Sequence, residues 1–465
     1  MKLILKNFYL IDEETDMFGK VVIEDGIIEA VLPGERSSLS RVDEDGAVMV
    51  IDGQCLMSNG LPVLMPAFVD LHAHFREPAF PSELSSPSEV LESASLAAAA
   101  GGYGTVISMA NTRPPIDTIE KVTALKDRSD MLRLIDLYPV MSLTKGMEGK
   151  ELSEITALPP RPAVWDEQSW KGPLMLSEDG KDLGDDDLFL LVMKEARRIG
   201  VPISCHCDFG GSGADKTAGQ TRSVLSRMEE NNAVRRVIEL GKKAGCHIHI
   251  AHVSTKEAAE LIRRTKAELA AELSVKESAG NNAARGFALS CEAMPHNLML
   301  TEEDAKLLGE ESFGRVNPPL RSEEDRKALV EAIRDGTIDS LATDHAPHSL
   351  SAKEKGAPGF SGLETAFAVF NSVLVQAEGF SLSCLSGLMS ANPARLIGLG
   401  GPGPGARGRL LPGYRADLVI ADTDAPWIVN PAELKTRGKN TPFAGRRLYG
   451  KITMTIHRGR VVFEL

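Results

Sequence analysis

At 465 residues the chain is long enough for two or three ordinary domains, or for one barrel of about 250 residues or more with a smaller companion. Hydrophobic residues make up 43% and charged residues 25%, the balance of a globular chain rather than a disordered one. A net charge of −13 argues against a basic surface for nucleic acid or anionic lipid, so small molecules are the expected partners.

The opening segment, MKLILKNFYLIDEETD, mixes charges into a short apolar run and offers no small-residue cleavage site, so a secretory leader is not expected. No stretch approaches the ~18 uninterrupted apolar residues of a membrane span, and the expected location is cytoplasmic. Up to about residue 62 the pattern is one of short strands and turns: LILKNFYLI, KVVIEDGIIEAVLPG with an Asp25-Gly26 hairpin signal, and AVMVIDG. Next come eight candidate strands: FVDLHAH, YGTVISMAN, RLIDLYPV, PLMLSED, PISCHCD, HIHIAHV, LSCEAMPHN and IDSLATD. Amphipathic or Ala-rich runs such as DDDLFLLVMKEARRIG follow most of them, the βαβ pattern of a parallel sheet. The predicted fold is therefore α/β, a (β/α)8 TIM-like barrel over 63–404 with a small β-sandwich domain built from 1–62 and 405–465. KESAGNNAARG (276–286) reads as a loop excursion and GLGGPGPGARG (398–408) as the linker back to the small β unit. Strand-like alternation returns in GRLLPGYRADLVIADTD and LYGKITMTIHRGRVVFEL. The six cysteines, Cys55, Cys205, Cys207, Cys246, Cys291 and Cys384, make no disulfide framework and are expected to be small buried hydrophobes.

His72, His74, Asn111, Asp179, His206, His252, His296 and Asp344 all fall at or near the ends of candidate strands, where a barrel carries its chemistry. His72 and His74 alternate onto one side of a strand and can share a metal. Asp344, in DHAPH, is either a helix N-cap or a carboxylate that ligates a metal and accepts a proton. His206 and His252 end two further strands. Parity sets His247 and His249 on the face opposite His252, so only one set should face the barrel lumen; the ligand reading goes to His252 and the core reading to the other two. Arg76 offers a rigid fork for a substrate carboxylate, with Asn111 and His348 able to share that task; a structural salt bridge is its bland alternative.

FVDLHAHFREP, MANTRPP, CHCD, AHVSTKE, NPPLR and ATDHAPH, in this order, resemble the motif series of dihydroorotases in the amidohydrolase superfamily. The resemblance implies that His72 and His74 bind one metal, that His206 and His252 bind a second, and that Asp344 is both ligand and general base. It implies that Asp179 bridges the metals, as in bacterial relatives that lack the carboxylated lysine, since PLMLSED contains no lysine. The implied substrate contacts are His74, Arg76, Asn111, Asn317, His348, Gly359 and Phe360. The implied cofactor is Zn2+, one or two ions per subunit with two favoured, although manganese or iron suits the same ligands. The implied reaction interconverts N-carbamoyl-L-aspartate and dihydroorotate, with Asp344 passing a proton to the ring nitrogen. Ala79, Ala110, Asp208 and Asn297 depart from the usual family residues without removing a ligand. Related readings are an allantoinase, a hydantoinase or dihydropyrimidinase, and a non-catalytic subunit that scaffolds aspartate transcarbamoylase. A homodimer or higher homo-oligomer is expected, with that transcarbamoylase as a candidate partner.

Overall fold

The computed structural model describes residues 2–34, 48–56, 62–78, 88–162, 170–181, 183–207, 222–278, 286–401, 403 and 405–465. From the start of the chain come β1 (Lys2–Ile11), β2 (Asp16–Glu24), β3 (Ile27–Pro33), β4 (Val48–Asp52) and β5 (Val63–Pro66). The middle supplies β6 (Phe68–Ala73), β7 (Tyr103–Ser108), β8 (Asp136–Pro139), β9 (Leu176–Ser177), β10 (Ile203–Cys205), β11 (His247–Ile250), β12 (Ala288–Ala293) and β13 (Ser340–Leu341). The end adds β14 (Leu418–Ile428), β15 (Arg447–His457) and β16 (Arg460–Glu464).

Strands from both ends share one sheet, in the order β16-β15-β14-β5-β1-β2-β3 with β4 on β1. Its inward residues follow the two-residue period of a strand. Leu3 and Leu5 are buried, the period slips by one at Asn7, whose φ is 63°, and Phe8 and Leu10 are buried beyond the slip. Asp25 and Gly26 both have positive φ and turn β2 into β3, as that dipeptide predicts. Leu3, Leu5, Phe8, Leu10, Val21, Ile23, Leu418 and Ile456 belong to a hydrophobic core of this sheet alone. β5 pairs with β1 and β14, which carries the sheet past residue 62 into the segment expected to open the barrel.

The eight middle strands are parallel and form two arcs, β6-β7-β8 and β9-β10-β11-β12-β13. Single parallel bridges link their ends, Met141 to Leu176 on one side and Ala73 to His345 on the other. β9 and β13 are two residues long, far shorter than the runs PLMLSED and IDSLATD suggest. Helices follow most strands: α1 (Leu91–Ala100) after β6, α2 (Ile119–Leu132) after β7, α3 (Asp186–Ile199) after β9, α4 (Arg222–Ala244) after β10 and α5 (Lys256–Ser278) after β11. After β12 come α6 (Pro295–Met299), α7 (Glu302–Leu308) and α8 (Glu323–Arg334). α3 shows how sequence sets such a helix. Asp185 caps it by accepting from Asp187 N and Leu188 N, Asp186 and Asp187 occupy the first turn, Arg197 and Arg198 the last, and Gly200 closes it at φ 85°. Its apolar stripe, Phe189, Val192, Met193, Ala196 and Ile199, is buried. α5 runs into the segment expected to be a loop excursion, and 279–285 of that segment lie outside the described residues.

The terminal sheet is fastened to the start of β8 by buried charges. Asp136 accepts from Arg407 Nη1 at 2.7 Å and pairs with Arg415 Nη1 at 2.6 Å, and Asp417 pairs with Arg415 Nη2 at 3.0 Å and His457 Nδ1 at 3.1 Å. Arg407 is almost fully buried, so the Gly/Pro-rich stretch expected to be a plain linker ends in an anchor. Four cysteines, Cys205, Cys207, Cys246 and Cys291, are buried as expected, whereas Cys55 and Cys384 are exposed. Among the described residues no helix is long and apolar enough to cross a membrane.

Candidate active site

Six side chains from the ends of five strands, β6, β9, β10, β11 and β13, converge. His72, near the end of β6, points Nε2 at Asp179 Oδ1, 3.4 Å away, and at Asp344 Oδ1, 3.6 Å away. His74 Nε2 lies 3.5 Å from Asp179 Oδ2 and 3.2 Å from Asp344 Oδ1. On the other side of Asp179, His206 Nδ1 is 3.3 Å from Oδ1 and 2.7 Å from His252 Nε2. Asp179 therefore belongs to two buried trios whose ligand atoms lie within 4.8 Å of one another, one with His72 and His74, one with His206 and His252.

This donor set fits divalent cations. Nitrogen and carboxylate oxygen are zinc-type ligands, and His72 Nε2 is buried with no hydrogen-bond partner. Electrostatics agree. Burial opposes a charge on His72, yet Asp179, Glu292 and Asp344 outweigh it and raise its pKa well above the ordinary value, the mark of a site that wants positive charge. Burial likewise opposes ionisation of Asp344, but the hydrogen bond from His74 and the imidazoles of His72 and His252 hold its carboxyl below the usual range. His252 is driven down to about 3 by burial and by the neighbouring His206, so it presents a neutral nitrogen. A third trio, Asp136, Asp417 and His457, has a similar spacing. Arg407, Arg415 and Arg458 already compensate its carboxylates, so it has no call for a metal.

Local backbone shape aims these groups. Arg76, His252 and Asp344 are non-glycine residues with φ of 59°, 36° and 45°, a region that costs L side chains energy and collects at functional sites. The turn at His252 also corrects the parity argument. β11 ends at Ile250, so His252 can swing into the site while His249 still faces inward, and both sets share the interior. His247 Nε2 and His249 Nδ1 each lie 2.8 Å from Ser290 Oγ. Asp344 caps no helix; His345 instead bridges Ala73 and Phe360.

Around the six, Asn111 spends its amide on two of them, its Oδ1 2.9 Å from His74 Nδ1 and its Nδ2 donating to Asp179 Oδ2 at 2.8 Å. It thereby orients ligands, a task the sequence does not disclose. His348 Nε2 donates to Pro358 O at 2.8 Å, which leaves Arg76 Nη2, 3.3 Å from the same nitrogen, facing another donor. Among the described residues Arg76 makes no ion pair, against the salt-bridge alternative, and burial together with the Arg76 charge takes His348 down to about 3. Gly359 has φ 124°, and a Cβ there would sit 2.5 Å from Ala346 Cβ, so the loop beside His348 closes only with glycine. Phe360 lies edge-on to His296, 5.4 Å between ring centroids. Lys353 Nζ pins this loop by donating to Arg315 O, Ala357 O and Gly359 O. Asn317 is half-buried between α7 and α8, and its candidacy rests on the sequence pattern. A cavity of about 440 Å³ opens beside Asn111, Arg113, Asp179 and Lys181. Ala79 and Asp208 lie outside the described residues, while Ala110 and Asn297 are buried.

Sequence reasoning missed the layer beneath. Glu292 Oε1 lies 3.0 Å from His72 Nδ1, and Asp70 accepts from Thr343 Oγ1 at 2.6 Å and Thr343 N at 3.0 Å, tying β6 to the chain after β13. A carboxylate inside the apolar run LSCEAMP was the available signal for Glu292.

Residues 63–462 match the model of the Amidohydrolase family. The dihydroorotase of Clostridium botulinum (strain Eklund 17B / Type B) is 34% identical over 464 residues, covering all of both chains. That of Thermoanaerobacter sp. (strain X514) is 33% identical over all of this chain and 98% of its own. Among solved structures, the L-hydantoinase (dihydropyrimidinase) from Arthrobacter aurescens superposes with a TM-score of 0.79 over 99% of this chain and 96% of that one, at 24% identity, a likeness of fold alone.

Proposed function

Because the chain belongs to the amidohydrolase family, we propose that it is a metal-dependent dihydroorotase, interconverting N-carbamoyl-L-aspartate and dihydroorotate. The observation that carries this reading is the convergence of four imidazoles and two carboxylates beside an arginine that pairs with no carboxylate among the described residues. In this proposal the two arcs and their bridges form one closed (β/α)8 barrel over 63–404, and the terminal sheet is a β-sandwich domain of 1–62 and 405–465, extended by β5.

His72, His74, Asp179 and Asp344 would hold one cation, and Asp179, His206 and His252 a second, with zinc the preferred ion. When bound, such cations supply Lewis acidity to the ring carbonyl and bring the pKa of water toward neutrality. Asp344, kept ionised by His74 and His72, takes the proton of the attacking water and delivers it to the ring nitrogen as the amide bond opens; ring closure is the reverse. Arg76 receives the substrate carboxylate in its fork, beside a His348 that burial keeps neutral. Gly359 and Phe360 line the pocket, His74 and Asn111 fix its inner wall, and Asn317 adds a further contact. Cytoplasmic location, assembly of identical subunits and association with aspartate transcarbamoylase belong to the same proposal and rest on likeness to the family.

The deciding experiment measures bound metal and dihydroorotate turnover before and after chelation. Activity should vanish with the metal and return with zinc; turnover that survives full removal would overturn the hydrolytic reading. A replete protein that ignores dihydroorotate but opens a hydantoin or allantoin would change the substrate and keep the class.

A further inference from the structure

Beneath the candidate metal ligands runs a column of polar side chains that the reaction above does not use. Glu292, the penultimate residue of β12, reaches across the interior to β6, with its Oε1 3.0 Å from His72 Nδ1. Its Oε2 lies 3.1 Å from His249 Nε2. His249 Nδ1 is 2.8 Å from Ser290 Oγ, which is also 2.8 Å from His247 Nε2. Glu292 is fully buried, and His72 and His249 are 1% exposed.

A buried carboxylate without an arginine or lysine is expensive, and a barrel interior packs as well with leucine. Both imidazole neighbours of Glu292 therefore call for a reason. An ionised carboxylate only accepts hydrogen bonds, so the nitrogen of His72 that faces it must be the one bearing hydrogen. When the ring gives up its second proton, the lone pair is left on Nε2, the atom aimed at Asp179 and Asp344. The second carboxylate oxygen has the His249 ring beside it at ion-pair distance, so Glu292 stands between two imidazoles. We infer that Glu292, backed by His249, is a positioning residue of the metal centre, setting the tautomer and ring orientation of His72 and thereby the affinity for the cation.

This inference rests on the metal-dependent reading above. Its test compares the full-length protein with the E292Q, E292D and H249N variants. Zinc affinity is measured by chelator competition, and the visible absorption of cobalt-loaded protein reports the geometry of the ligands. Thermal melting of the metal-free forms controls for folding. E292Q keeps the shape and loses the charge, so zinc affinity should fall by about 10- to 100-fold with a changed cobalt spectrum. E292D, which keeps the charge, should recover part of that loss, and H249N should move affinity the same way by less. If E292Q does not fold, H249N with E292D carries the comparison. A folded E292Q, or in its absence a folded H249N, with parental zinc affinity and cobalt spectrum would overturn the positioning role and leave the metal centre standing. A parent protein that takes up no metal would overturn the metal centre itself.

Discussion

Asp344 is the residue on which the proposed chemistry turns, since it touches His72 and His74 and is held ionised by them. Asp344→Asn should lower turnover by about 10²- to 10⁴-fold with the fold intact, because the amide cannot take up the proton; steady-state kinetics beside a circular dichroism spectrum checks this, and activity within tenfold of the parent would exclude the role. Arg76 makes a different prediction. Arg76→Lys replaces a fork by a point charge, so KM for dihydroorotate should rise by about 10- to 100-fold, the worth of one or two charge-assisted hydrogen bonds, with kcat less affected. Residues of this kind were legible in the sequence because each interrupts or ends an apolar run. Glu292 interrupts an apolar run as well, but its pairing with His72 and His249 arises from a contact between strands, which no spacing along one strand encodes. Parity was right to send His252 to the site and wrong only in excluding His249 from the interior: it assumes an unbroken strand, and the backbone at His252 turns left-handed.

Among elements, the long β-rich runs were readable as strands, but β9 and β13 shrink to two residues because each chain leaves its neighbour as soon as it delivers Asp179 or approaches Asp344. The length of an apolar run reports burial, and both runs are buried well beyond their ladder pairing. The contact between β8 and the terminal sheet was illegible for another reason, since Arg407 and Arg415 sit in a Gly/Pro-rich and turn-rich stretch whose composition suggests exposure. Their carboxylate partner, Asp136, is 1% exposed. Asp136→Asn would strip Arg407 of its ion-pair partner and leave Arg415 with Asp417 alone, and the expected cost is about 3–5 kcal/mol of unfolding free energy. Urea denaturation followed by tryptophan fluorescence measures it; a loss below about 1 kcal/mol, the range of an exposed pair, would mean that the fastening contributes little.

At the scale of the whole molecule, that fastening makes stability depend on pH in a calculable direction. Burial opposes the charge on His457, but Asp417 and Asp136 raise its pKa above the ordinary value. Its contribution is therefore complete below the unfolded imidazole value, about 6.5, and is lost as pH rises through the higher folded value. Asp417, held low against burial by Arg415 and His457, contributes above about 3.9 and loses that contribution as pH falls through its lower folded value. Unfolding free energy should thus decline on the alkaline side, and His457→Gln should flatten that decline; denaturant titrations at stepped pH would refute this if parent and variant ran parallel. The overall division into a terminal sheet and a parallel α/β body was legible, because alternating and continuous apolar patterns occupy different stretches of chain. The shared sheet also governs how the chain comes into being. β5 is translated at residues 63–66, and its partner in β14 follows only at 418–421. At about 5–20 residues per second the ribosome leaves that edge open for roughly 20 to 70 seconds. Native closure of the sheet thus waits for the last strands to emerge, and for most of its synthesis the nascent protein lacks the partner for that edge.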